Sequence, residues 1–146
     1  ANVYFIAEPQ ITIRYGNAMW TPRRFHIWMF MWPELIWSFQ GFSNDAKRAV
    51  VQAEPWRSAK NILLYKAIGG YGPNEYREFL RERASRSARV FYYLVAVTPA
   101  SLVSIAAIFA CIAVGGRNST ELYDISISPY TGRFGRWLAG LALGTK

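Results

Sequence analysis

His26 and Glu34 come closest to acid–base chemistry, an imidazole and a carboxylate inside one aromatic stretch. A proton relay or general-base site needs further partners in reach, and this stretch supplies no second carboxylate and the chain no second histidine. A lone His26 builds neither a zinc site nor a recognisable Ser-His-Asp arrangement. Cys111, the single cysteine, lies in an apolar run, so no intrachain disulfide forms and the thiol reads as a small packing group. Gly69-Gly70-Tyr71-Gly72 is glycine-rich enough for a phosphate loop, but no Lys-Ser/Thr pair follows and no strand precedes, so a turn is expected. Asn118-Ser119-Thr120 is a formal glycosylation sequon too close to the apolar run to be reached easily. These residues predict no catalytic set, no cofactor and no metal, and hence a protein that is not itself an enzyme.

The elements that would position anything else are organised around residues 90–115, which carry no charged side chain. A helix of that length at 1.5 Å per residue spans a hydrocarbon core of about 30 Å, so one transmembrane helix is expected. Ala100, Ser104, Ala107 and Cys111 follow i, i+4, i+7, i+11 spacing and place small groups on one face, with Leu102, Ile105 and Phe109 elsewhere. Such a face predicts close packing against other membrane helices. Pro99 predicts a modest kink, and Phe91, Tyr92 and Tyr93 an aromatic belt where the span begins.

Upstream, Gln10 to Tyr15 alternates as a short strand would. Arg23 and Arg24 precede the block 25–42, which holds Trp28, Trp32 and Trp37 around Pro33-Glu34. Proline and a carboxylate at its centre oppose a second span, so the block reads as interfacial, with burial against a neighbouring subunit and a true span as the alternatives. Ser43-Asn44-Asp45 is a helix N-cap, Pro55 opens a helix to about Ile68, and Gly69 to Pro73 breaks it. A charged helix from Asn74, with Glu78–Arg81 and Glu82–Arg86 pairs on its surface, is expected to run unbroken through the span to Gly115. Arg86 and Arg89 then mark the membrane interface together with Arg23, Arg24 and the three tryptophans.

The predicted fold class is mainly α: a single-pass transmembrane helix, an N-terminal interfacial and helical region, and a short extended tail. The segments are 1–89, 90–115 and 116–146, the last with turn chemistry at Ser128 to Gly132. A net charge of +8 suits an anionic lipid such as cardiolipin, or acidic protein partners, and the apolar run weighs against nucleic acid. The excess of arginine before the span predicts an N-terminus on the matrix or cytoplasmic side. The opening at Ala1 is consistent with a targeting segment already removed.

Arg89-Val90-Phe91-Tyr92-Tyr93, the following Pro99, the aliphatic run to Gly115 and a tail with Tyr123, Pro129-Tyr130, Arg133 and Arg136-Trp137-Leu138-Ala139 resemble one known family. Over about Arg89 to Gly140 the chain is similar to the SGDH-type accessory subunit of mitochondrial NADH:ubiquinone oxidoreductase, respiratory complex I. The resemblance implies an inner-membrane, single-pass subunit of the respiratory chain, matrix-facing at its N-terminus, with no redox cofactor and a role in stabilising the membrane arm. The tail is shorter than that family's and the block 25–42 has no counterpart in it. The alternatives are an accessory subunit of cytochrome oxidase or ATP synthase, an assembly factor, and an interfacial lipid-handling enzyme.

Overall fold

The structure, a computed structural model, describes residues 24–115 and 120–144; Arg23 and the alternating run at Gln10 to Tyr15 lie outside the described residues. Among those described there are eight helices and no strand. Helix α1 covers 24–38, α2 Asn44–Val50, α3 Ala59–Ala67 and α4 73–80. Helices α5 (Arg86–Val97), α6 (Ala100–Gly115), α7 (Thr120–Ile127) and α8 (Gly132–Leu143) follow.

Local chemistry explains most of the boundaries. The Ser43 hydroxyl accepts from the Ala46 amide at 3.2 Å and starts α2, and Pro55 opens a 3₁₀ turn, Pro55–Arg57, before α3. Gly69, at φ +83°, turns the chain out of α3 beneath the Tyr130 ring, where a side chain would collide with the ring carbons. Two helices carry a wide turn. In α1 the Trp32 amide bonds to the Ile27 carbonyl, five residues back, immediately before Pro33, which cannot donate to the helix. In α4 the Arg81 amide reaches the Tyr76 carbonyl in the same way at 2.9 Å.

The expected transmembrane span does not form, because Pro99 ends a helix instead of kinking it. Proline crowds the α conformation of the residue before it, and Thr98 accordingly sits at φ −69°, ψ 139°, with its hydroxyl capping the Leu94 carbonyl at 2.7 Å. The result is a 12-residue helix and a 16-residue helix, roughly 18 and 24 Å long at 1.5 Å per residue. Among the described residues, no helix is long and apolar enough to cross a membrane. The unbroken helix from Asn74 is also absent: α4 ends at Leu80, and Ser85 restarts the chain as the N-cap of α5, accepting from the Ala88 amide at 3.4 Å. Nor is the tail extended, since it folds as α7 and α8 around the turn at Ser128 to Gly132.

Two hydrophobic clusters hold the helices together, and α3 lies between them. One face of α3 gives Ile62 and Tyr65 to an aromatic cluster with Phe25, Met29 and Phe30 of α1, Trp56, Tyr71, Leu80 of α4, and Tyr92 and Val95 of α5. The other gives Leu64 and Ala67 to a cluster of smaller groups: Ala107, Ile108 and Cys111 of α6, Leu122 and Ile125 of α7, and Ala139 of α8. The N-terminal part and the tail are in direct contact. Arg24 pairs with Asp124 at 3.1 Å and Lys60 with Glu121 at 2.8 Å, while the buried Thr131 hydroxyl donates to the Ala67 carbonyl at 3.0 Å.

Candidate functional site

The small-residue face of α6 is turned into the protein. Ser104, Ala107 and Cys111 are fully buried and Ala100 is half-buried. Helix α8 approaches so closely that a Cβ on Gly135 would lie 2.5 Å from Ser104 Oγ and 2.6 Å from Thr131 Cγ2. The Ser104 hydroxyl is shared between the carbonyls of Ser101, at 2.8 Å, and Thr131, at 3.3 Å, so this close approach carries no orphaned polar group. Burial raises the Cys111 thiol to about 11, which leaves it neutral and poorly nucleophilic at ordinary pH. Small groups thus let this chain's own α3 and α8 approach α6.

The opposite side of α6 is bare. Leu102, Phe109 and Val114 are each more than three-fifths exposed. Phe109 and Leu141 border an apolar groove of about 390 Å³ between α6 and α8, lined also by Ile108, Ile112, Leu138 and Ala142. Beyond it, Phe134 and Trp137 stand exposed with ring centroids 5.7 Å apart.

The aromatic block 25–42 is divided lengthwise. Phe25, Met29, Phe30 and Pro33 are buried in the aromatic cluster, while Trp28, Met31, Trp32, Leu35 and Phe39 recur at i, i+3, i+4, i+7, i+11 on the exposed side. Phe42, just beyond, is also exposed. Trp37 is half-buried, donating its indole N–H to the Val51 carbonyl at 3.2 Å, and the Lys47 ammonium lies 5.9 Å from its ring and donates to its carbonyl. His26 stacks on Phe79 at 4.5 Å, and Glu34 lies exposed. Among the described residues, no three potential metal ligands converge.

The basic residues divide as sharply. Arg24 is committed to Asp124. By contrast, the pairs expected within the stretch 75–89 are absent: none of Glu75, Glu78 and Glu82 forms an ion pair with an arginine among the described residues. Arg89 donates to the Ala84 carbonyl at 2.9 Å, Arg83 lies 5.0 Å over the Phe30 ring, and Arg86 is exposed. Arg77 and Arg81 line a cavity of about 290 Å³ together with Pro73, Tyr76 and Tyr93. The sequence showed the arginines but not this grouping, which depends on the wide turn in α4 and on α5 folding back beside it.

In comparisons with known proteins, no family, no curated protein and no solved structure matches this chain.

Proposed function

We propose that this chain is a non-catalytic accessory subunit of a large complex of the mitochondrial inner membrane, with respiratory complex I as the first assembly to test. The observation that carries the reading is the exposed apolar side of α6 and α8, where Leu102, Phe109, Val114, Trp137 and Leu141 face outward around an open groove. Exposed large apolar side chains beside an apolar groove mark a protein or membrane contact. The groove has no polar side chain in its lining, so it binds shape and apolar surface and offers no group for chemistry. The choice of complex I rests on the resemblance over Arg89 to Gly140; the membrane-spanning helix which that resemblance implied is no part of the proposal.

The test is native gel separation of gently solubilised mitochondrial inner membranes, with mass spectrometry of the band that contains this chain. Co-migration at fixed ratio with NADH dehydrogenase subunits is expected. Fixed-ratio migration with cytochrome oxidase or ATP synthase would move the subunit to that complex, and a substoichiometric presence would make it an assembly factor. A free low-mass species would overturn the accessory reading.

A further inference from the structure

The cavity between α4 and α5 has the chemistry of an anion site set at the edge of an apolar surface. Because the Arg81 amide bonds five residues back to Tyr76, the turn is wide, and Tyr76, Arg77 and Arg81 come to line one side of the same cavity. Tyr93 of α5 lines the other side, its ring 5.7 Å from that of Tyr76 and inclined at 59°. The Arg77 guanidinium is held in place by its own helix, Nε donating to the Pro73 carbonyl at 3.3 Å and Nη2 to Asn74 Oδ1 at 2.7 Å. Arg81 has no ion-pair partner among the described residues. Planar guanidinium groups present paired N–H donors that match a phosphate, and the two phenol hydroxyls add further donors.

What adjoins the cavity identifies the form in which the phosphate arrives. Val90, Leu94 and Val97 of α5 recur at i, i+4, i+7, each about half exposed or more, and Tyr93 stands at the flank of that stripe. A soluble phosphate gains nothing from three exposed aliphatic side chains, whereas a lipid presents a phosphate and hydrocarbon together. Tyrosine at such a boundary keeps its ring in the apolar layer and its hydroxyl among headgroups. We propose that Tyr76, Arg77, Arg81 and Tyr93 bind the phosphate of an anionic phospholipid headgroup while Val90, Leu94 and Val97 rest in the acyl layer. Helix α5 then lies on the membrane without crossing it. Glu78 and Glu82, both exposed in the same stretch, repel an anionic surface and lower the affinity, while added salt weakens binding by screening the attraction of the arginines. The site stands whether or not the chain belongs to a larger complex.

The purified full-length chain is floated with phosphatidylcholine vesicles and with vesicles of phosphatidylcholine and phosphatidylglycerol in equal parts. Binding is expected only to the second. Each arginine near an anionic surface is worth about fivefold in partition, so Arg77→Gln with Arg81→Gln should weaken binding about 25-fold. The equal-charge control, Arg133→Gln with Arg136→Gln on α8, should change it less than about twofold, and Leu94→Glu should weaken it about tenfold or more, an acidic side chain in the acyl layer being strongly disfavoured. Replacing Arg77 and Arg81 by lysine keeps the charge and loses the fork, so an intermediate loss is expected in a protein whose fold is unaltered by circular dichroism. Inorganic phosphate should displace the chain no better than chloride at equal ionic strength. Equal loss from both glutamine pairs, binding to both kinds of vesicle alike, or specific displacement by inorganic phosphate would each overturn the proposal.

Discussion

The two hydrophobic clusters that meet on α3 are built on opposite principles. Around Phe25 the packing is by large rings: Phe25 lies 5.6 Å from Tyr65, edge to face, and 5.0 Å from Tyr71, and Phe30 stacks at 6.4 Å on Trp56. Around Ala107 it is by the absence of bulk, with Ala67, Ala139, Ser104 and Gly135 allowing three helices to close on one another. The first cluster is therefore sensitive to lost volume and the second to added volume. Polar groups follow the same division. In the aromatic cluster the buried Tyr71 hydroxyl donates to the Tyr92 carbonyl at 3.0 Å, whereas hydroxyls of Ser104 and Thr131 stitch the small-residue cluster across helices.

The largest expected effect comes from emptying the first cluster. Phe25→Ala should destabilise the protein by about 3–5 kcal/mol in urea denaturation, since the ring is 1% exposed and touches three other aromatic rings. Overfilling the second comes next: Ala107→Leu should cost about 1–3 kcal/mol, while Leu102→Ala, on the bare side of the same helix, should change stability by less than about 0.5 kcal/mol. If the two α6 variants proved equally harmful, the division between its faces would be misdrawn. Alkaline titration separates the clusters by chemistry. Burial pushes Tyr65 up to about 12 and raises Tyr71 and Tyr92 as well, so these phenols stay protonated in the folded state after the unfolded chain has begun to lose its protons near pH 10. Their contribution to stability is complete below pH 10 and falls as pH rises beyond it, that of Tyr65 being lost as pH passes about 12. Cys111 of the second cluster acts earlier, between about pH 9 and 11. Melting temperatures measured across this range should fall in both windows, and Cys111→Ala should remove the earlier fall. Among the variants expected to destabilise, the smallest effect is at the helix break: Pro99→Ala should cost only about 0.4–1 kcal/mol, through the freedom it gives the unfolded chain, because α5 and α6 are each held on α3 by side chains.

The parts legible in the sequence were those written in local chemistry. Ser43 as a cap, the break at Gly69 and the turn at Ser128 to Gly132 stand where the residue types place them, while Pro55 opens only a 3₁₀ turn and the helix expected from it begins at Ala59. The small face of α6 was expected to pack on other membrane helices, whereas it is filled by this chain's own α3 and α8, a distinction that spacing alone does not carry. The span was misread because hydropathy over 90–115 averages across Thr98-Pro99, and because α6 is apolar on its exposed side as well as its buried one. The same ambiguity hid the division of 25–42, where Phe25, Met29 and Phe30 face inward and Trp28, Trp32 and Leu35 outward with no polar stripe to tell them apart. Ser85, three residues before Ala88, was a readable start signal that the run of arginines and glutamates obscured. The cavity lined by Arg77 and Arg81 was beyond reach for a different reason: it depends on a turn of unusual width within α4 and on Tyr93 of α5 facing it, and so appears only when both helices are in place.

The bond from Thr131 to the Ala67 carbonyl, across a separation of 64 residues, also imposes an order of events during synthesis. Until α7 and α8 have left the ribosome, Leu64, Ala67, Ala107, Ile108 and Cys111 have no Leu122, Ile125 or Ala139 to cover them. The nascent chain therefore carries a second apolar surface on α6, opposite the one that remains open in the finished protein. For that interval the partly made chain exposes apolar surface of the kind that aggregates, and that surface is covered only when α8 closes over Ser104.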